Sequence, residues 1–181
     1  MISKMFRKPV TCGLMALAIT TLPTTVSAAP SEKDVLVASR ALNFISPKPS
    51  GEITAAIIYD ASNAASKADA EGLAAIIGGG MKAGKVTLVG KLVDVNDMAA
   101  MKGSAIAFVA EGTAAHHSAI AAAVSGAGIL TASTDLSCVR SAQCALGVST
   151  DPKVEIFVNK SAASAAGVEF LPAFLMMVKE V

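Results

Sequence analysis

The stretch EITAAIIY, Glu52 to Tyr59, has the length and apolar character of a β-strand that is buried inside a sheet. The residues that follow it, DASN at 60 to 63, are typical of a turn. Ala64 to Ile77 then has the length and composition of a helix, which the glycines at 78 to 80 end. A buried strand followed directly by a helix is the repeating unit of an α/β fold.

The same unit recurs on both sides of this stretch. On the N-terminal side, a capping box at Ser31 to Asp34 starts a helix that Pro47 and Pro49 end. The apolar stripe of this helix consists of Val35, Ala38, Leu42 and Ile45. On the C-terminal side, strands are predicted at Lys85 to Val93, Ala105 to Ala110 and Ile129 to Ala132. Helices are predicted between them, at about Asn96 to Met101 and at Ala114 to Val124.

The last third of the chain departs from this alternation of strands and helices. Gln143 to Ser149 and Val154 to Val158 are predicted strands joined by the turn residues TDPK, which indicates an antiparallel hairpin at the edge of the sheet. Asn159 is suited to cap a helix over Lys160 to Ala166. A terminal helix is predicted to begin near Pro172.

The predicted fold class is α/β. Residues 29–181 are expected to form a single three-layer domain with a mostly parallel sheet and an antiparallel C-terminal edge hairpin. Roughly 150 residues are enough for one ordinary domain with a single core.

The first 28 residues have the order of parts of a secretory signal peptide. Lys4, Arg7 and Lys8 precede a mostly apolar run, and the small residues VSA come before a cut expected after Ala28. The expected localisation is therefore the periplasm; an uncleaved N-terminal anchor is the alternative. No second segment of about 20 apolar residues follows, so we expect no membrane span after cleavage.

The charge of the exported chain argues against nucleic acid as a partner. Residues 1–28 hold three of the 15 basic residues and none of the 14 acidic ones, which leaves 15 − 3 = 12 basic residues and a formal net charge of 12 − 14 = −2. No block of Lys and Arg remains, and aromatic residues for stacking on bases are scarce, at 4% of the chain.

Export also bears on the three cysteines. Cleavage removes Cys12 and leaves Cys138 and Cys144 as an even pair, which in an oxidising compartment favours a disulfide. Free thiols and a metal site are the alternatives. A metal site would need closer spacing and further ligands nearby, and a catalytic thiol is usually spaced C-x-x-C or paired with a histidine.

Other motifs favour structural roles. Gly79 to Val86 matches G-x-x-x-x-G-K but lacks the final Ser or Thr and precedes a strand, so we interpret it as a helix stop and turn. His116 and His117 are adjacent and are expected on a solvated helix surface.

Three aspartates follow predicted strands, at the edge where open parallel sheets bind ligands. They are Asp60, Asp94 and Asp135. Aspartate is also a common turn residue, and that interpretation is favoured. No enzyme signature stands out, and we expect no catalytic residue, cofactor or metal.

The C-terminal third contains four segments in a recognisable order: ILTAS at 129 to 133, VEIFVN at 154 to 159, AASAAG at 162 to 167 and Leu171 to Val178. They are similar, in that order, to a strand, a second strand, a helix that ends in Ala-Gly and the last helix of the YfiR family of periplasmic regulators, which this part of the chain resembles. The resemblance spans residues 33 to 179, although Ser46-Pro47 stands where the family usually has Trp-Pro.

This resemblance implies a non-enzymatic regulator that binds the periplasmic domain of a membrane-bound diguanylate cyclase and represses it. It implies a redox-sensitive disulfide for Cys138 and Cys144, and a homodimer is a further expectation. Candidate partner-binding residues are Leu42 and Phe44 near the first helix and Arg140 near the hairpin, although both regions could equally be core or dimer interface. The alternative function is a periplasmic small-ligand-binding domain that resembles one lobe of a solute-binding protein.

Overall fold

A computed structural model describes residues 30–181; the predicted signal peptide at residues 1–28 lies outside the described residues. The α-helices are α1 (Glu32–Arg40), α2 (Ala64–Ile77), α3 (His117–Val124), α4 (Leu136–Arg140), α5 (Lys160–Ala165) and α6 (Pro172–Leu175). Short 3-10 turns cover Ala41–Phe44, Met98–Met101 and Ala114–His116. The strands are β1 (Ile45–Ser46), β2 (Gly51–Tyr59), β3 (Met81–Ala83), β4 (Val86–Asp94), β5 (Ile106–Val109), β6 (Leu130–Ser133), β7 (Leu146–Ser149), β8 (Glu155–Val158), β9 (Glu169–Phe170) and β10 (Lys179–Glu180).

The main sheet confirms the predicted α/β fold. It has eight strands in the order β10-β8-β7-β6-β5-β2-β4-β3, and its central neighbours pair in parallel. Strand β2 lies between β4 and β5, and the side chains of residues 55 to 58 are fully buried. An apolar run without alternation fits this place because a central strand is covered on both faces.

Helices cover both faces of the sheet. Residues of α1 and α2 share a small cavity with Phe108, Ala132 and Val148, which places these two helices on one face. Leu136 and Val139 of α4 approach Gly147, the neighbour of Val148 along β7. Because successive residues of a strand point to opposite faces, α4 packs on the other side of the sheet.

The predicted helix caps are present. The Ser31 hydroxyl oxygen accepts a hydrogen bond from the amide of Asp34 at 3.1 Å, and Asn159 Oδ1 accepts one from the amide of Ala162 at 3.0 Å. Each satisfies an amide that the first turn of a helix leaves without a partner.

The C-terminal third differs from the prediction in three places. The β7–β8 pair is antiparallel as predicted, but β10 pairs in parallel with β8, so the hairpin lies one strand inside the edge. The terminal helix ends at Leu175, because the following segment joins the sheet. A helix that the sequence analysis did not predict, α4, lies between β6 and β7.

The glycine-rich motif after α2 is only partly a turn. Gly78 ends α2 at a φ of 54°, as expected for a helix stop. Residues 81–83, however, form β3, which pairs antiparallel with β4. Within residues 30–181, no helix has both the length and the apolarity needed to cross a bilayer.

Candidate functional site

Four acidic residues lie at or just after the carboxyl ends of four neighbouring parallel strands, β4, β2, β5 and β6 in spatial order. They are Asp94, Asp60, Glu111 and Asp135. Carboxyl ends of parallel strands meet at one edge of a sheet, and this edge is where ligands bind in open α/β sheets. The structure therefore brings together the three predicted aspartates and adds a glutamate that the sequence analysis did not single out.

The three aspartates do serve as turn residues. Oδ1 of Asp60 accepts a hydrogen bond from the Ser62 amide at 2.8 Å, and Oδ1 of Asp135 accepts one from the Ser137 amide, also at 2.8 Å. Asp94 bonds the Asn96 amide in the same way at 2.7 Å. The hydrogen bond from the Ser62 side chain is the largest influence that lowers the pKa of Asp60, and the Asn96 amide lowers that of Asp94.

The two histidines face the edge formed by Asp94, Asp60, Glu111 and Asp135, which we call the acidic edge. For His117, the prediction of a solvated helix surface is wrong. His117 is only 3% exposed, and its Nε2 lies 4.0 Å from Oδ2 of Asp135 without a hydrogen-bond partner. His116 Nε2 lies 3.4 Å from Oδ2 of Asp60. His117 is the first residue of α3 and lies on the same buried side of this helix as Ile120 and Val124.

Glu111 and Asp69 complete the acidic group. Oδ2 of Asp69, on α2, accepts a hydrogen bond from the Glu111 amide at 2.9 Å. Burial raises the pKa of both carboxyl groups, and the charges of Asp69 and Asp135 raise that of Glu111 further. Only its place after a strand could have pointed to Glu111 in the sequence.

An open cleft of about 360 Å³ lies between the loops after β5 and β6. Its lining consists of Glu111, Gly112, Thr134, Asp135 and Leu136. Within residues 30–181, no group of three or more His, Cys, Asp or Glu side chains is arranged to hold a metal ion. The cleft offers carboxylate groups from Glu111 and Asp135 and a hydroxyl group from Thr134.

The predicted disulfide between Cys138 and Cys144 is present, with the two Cα atoms 5.2 Å apart. It joins α4 to the segment just before β7, and both residues are fully buried. The carbonyl of Cys138 also accepts hydrogen bonds from the amides of Gln143 at 2.9 Å and Cys144 at 3.0 Å. The bond therefore reinforces a loop that the backbone already closes.

The candidate partner-binding residues lie in different surroundings. Leu42 is fully buried in the core. Phe44 is half-buried and stacks on Phe174 of α6, with ring centroids 5.2 Å apart. Arg140 is exposed, and its guanidinium carbon lies 5.9 Å from the centre of the Phe157 ring.

Phe44 and Arg140 are both connected through aromatic side chains to the C-terminal segment, residues 171–181. Phe44 contacts α6, and the ring of Phe157 that Arg140 approaches is also approached by Lys179 of β10, at 5.4 Å. Of the six large apolar side chains exposed in the described chain, four belong to this segment: Leu171, Met176, Met177 and Val181. We call residues 171–181 the C-terminal surface.

His117 should make the stability of the protein depend on pH. Burial is the main cause that lowers the pKa of its imidazole below the ordinary 6.5. The unfolded chain then binds the proton more readily, so the free energy of unfolding should be fully retained above about pH 6.5 and should fall below it. Urea denaturation from about pH 7.5 to about pH 5.5 measures this slope. His117→Gln should flatten it, and His116→Gln is the matched control; an unchanged slope in His117→Gln would contradict the assignment.

Comparison of the chain with protein-family models finds no match, and comparison with curated proteins finds none either. The resemblance to the YfiR family therefore stays a prediction, based on the residues quoted for it. Three separate regions are therefore the candidates for function: the acidic edge, the buried disulfide and the C-terminal surface.

Proposed function

We propose that this protein is an exported, non-enzymatic regulator that binds the periplasmic domain of a membrane-bound diguanylate cyclase and holds it inactive. The observation that carries this proposal is the exposure of two adjacent methionines on the C-terminal surface. Met176 is 83% exposed and Met177 67% exposed. Flexible, polarisable methionine side chains adapt to a partner surface and are common where proteins bind other proteins.

The surroundings of the two methionines support a protein partner. Leu171 and Val181 are exposed in the same short segment, at 41% and 46%, so exposed apolar side chains are concentrated in this part of the chain. Phe174, between them in sequence, is buried and stacks on Phe44 and on Phe170. The segment is thus anchored to the domain by aromatic contacts while its methionines stay free to contact another molecule.

The small size of the cavity between α1, α2 and the sheet argues against storage of a solute there. The cavity between α1, α2 and the sheet has a volume of about 20 Å³. That volume holds about one water molecule. The alternative function, one lobe of a solute-binding protein, would therefore depend on an open surface such as the cleft beside Glu111 and not on this cavity.

The proposed interface predicts that Met176→Asp combined with Met177→Asp abolishes repression. A charge placed in an apolar contact costs desolvation energy, so binding to the purified periplasmic domain of the cyclase should weaken at least about tenfold. In cells, deletion of the gene should raise cyclic di-GMP, and the wild-type gene should lower it again. The double variant should fail to do so at equal protein level.

Leu92→Asp is the matched control, because Leu92 is a 46% exposed apolar residue on β4, outside the C-terminal surface. It should repress like the wild type. Repression by the double methionine variant would exclude the C-terminal surface as the interface. Unchanged cyclic di-GMP on deletion would exclude the cyclase as the target.

A further inference from the structure

The methionines of the described chain differ widely in exposure. Met81 and Met98 are half-buried and Met101 is 2% exposed, whereas Met176 and Met177 on the C-terminal surface are 83% and 67% exposed. A thioether reacts with an oxidant in solution only where the oxidant can reach the sulfur. The two adjacent methionines are therefore the ones that an oxidant reaches without any opening of the fold.

The turn that carries these two methionines is held on both sides. The amide of Met177 donates a hydrogen bond to the carbonyl of Phe174 at 2.9 Å, and the amide of Met176 donates one to the carbonyl of Pro172 at 3.2 Å. Phe174 is buried, and beyond the turn β10 pairs with β8. The exposure of the methionines is thus a property of an ordered turn between two anchored elements.

Few other side chains of the described chain compete for an oxidant. Cys138 and Cys144 are joined in the buried disulfide, so residues 30–181 contain no free thiol. The sequence has no tryptophan, and its one tyrosine, Tyr59, is half-buried. Oxidation of methionine to its sulfoxide is a common reaction of proteins. An oxidant that reaches this domain should therefore react first at Met176 and Met177.

We propose that Met176 and Met177 form an oxidation site, at which a peroxide converts both thioethers to sulfoxides and switches off binding by the C-terminal surface. In each reaction a lone pair of the sulfur attacks one oxygen of the peroxide, so that an S–O bond forms and the O–O bond breaks. The sulfur loses two electrons, and the second oxygen of hydrogen peroxide leaves as water after proton transfer. A methionine sulfoxide reductase reverses the change with thiols as the reductant.

Oxidation changes the property on which the proposed interface depends. A thioether is apolar, whereas a sulfoxide is polar and carries an oxygen that accepts hydrogen bonds. Burial of that oxygen in an apolar contact without a donor costs free energy. The fold should persist, because both side chains are exposed in the free protein. The effect on binding rests on the proposed function, whereas the oxidation site itself does not.

The first experiment treats the purified protein with dilute hydrogen peroxide and follows each methionine by mass spectrometry of its peptides. Met176 and Met177 should each gain one oxygen atom at least about tenfold faster than Met101, which reacts only when the structure opens locally. The treated protein should elute earlier from a phenyl column under native conditions, because its surface has become more polar. Its far-UV circular dichroism should be unchanged.

The second experiment uses Met176→Leu combined with Met177→Leu. Leucine keeps the apolar volume but has no sulfur to oxidise. This variant should therefore keep its retention on the phenyl column and its binding to the cyclase domain after peroxide, while binding by the wild type should weaken at least about tenfold. Met81→Leu combined with Met98→Leu is the matched control and should stay as sensitive to peroxide as the wild type.

Four results would each overturn the proposal. They are equal oxidation rates at Met176 and Met101, unchanged retention of the oxidised wild type, full binding by the oxidised wild type, and equal loss of binding in the leucine variant. Failure of the untreated protein to bind the cyclase domain would instead contradict the proposed function. The mass and retention measurements would then still decide whether the two methionines form an oxidation site.

Discussion

Leu42→Ala should lower the free energy of unfolding by about 3 kcal/mol. Leu42 is fully buried, in the 3-10 turn that follows α1, and belongs to the core that includes Val35, Ala38 and Ile45. Truncation removes buried methyl groups and leaves a cavity, and both effects reduce stability. Urea denaturation followed by circular dichroism measures the loss.

The control for this substitution is Leu92→Ala, the same chemical change at a residue that is 46% exposed. It should cost less than about 1 kcal/mol, because little apolar surface is returned to water. Leu42 was predicted as a partner-binding candidate, and the experiment also tests that role. If Leu42→Ala kept full stability and lost partner binding, Leu42 would belong to the interface and not to the core.

Strong local signals in the sequence predicted the central part of the fold. Helix α2 begins at Ala64 and ends at Ile77, as predicted, since Asn63 caps it and Gly78 stops it. Strand β2 was predicted from its mostly apolar run, and the four successive buried residues 55–58 are what a strand covered on both faces requires. Signals of this kind are local, so a single sequence contains them.

The missed elements depend on contacts that are distant in sequence. Lys179 and Glu180 form β10 because they pair with Phe157 and Val158, and nothing in two charged residues indicates a strand. Helix α4 has only five residues, too few for a helical period to be visible. Strand β3 is shorter still, with three residues, and its pairing with β4 determines it.

The acidic edge was predicted in part, for the same reason. Asp60, Asp94 and Asp135 could be placed at one edge because each lies at or just after the carboxyl end of a strand of a parallel sheet. The burial of His117 was missed, although it lies three residues before Ile120 and seven before Val124, the two large apolar residues of the alanine-rich α3, and so falls on their side of the helix. A residue's exposure there depends on which neighbours the fold brings against it.

Loss of the disulfide should be the second large effect. Replacement of Cys138 and Cys144 by alanine should lower the free energy of unfolding by roughly 2 kcal/mol, the chain-entropy value for so small a loop. Alanine is preferred to serine because both positions are fully buried and a hydroxyl would need a new hydrogen-bond partner. Far-UV circular dichroism should hardly change, since the backbone bonds to the Cys138 carbonyl remain.

The same bond connects the loop to the proposed interface. It holds α4 against the start of β7, and Arg140 at the end of α4 lies over Phe157, whose ring Lys179 also approaches. Release of α4 should therefore alter the C-terminal surface and weaken binding to the cyclase domain while the fold persists. That is the pattern expected of a redox-sensitive contact.

Two comparisons separate a redox-sensitive contact from a purely structural bond. Dithiothreitol should weaken partner binding by the wild type and have no further effect on the double alanine variant. Because both cysteines are buried, reduction should be slow in buffer and faster at urea concentrations that open the loop locally. Loss of the far-UV circular dichroism signal on reduction would show that the bond is purely structural. Full binding of the partner after reduction would show that the bond does not regulate binding. A reduced protein that is folded but binds weakly is the result we expect, because α4 can loosen while the eight-stranded sheet beneath it stays paired.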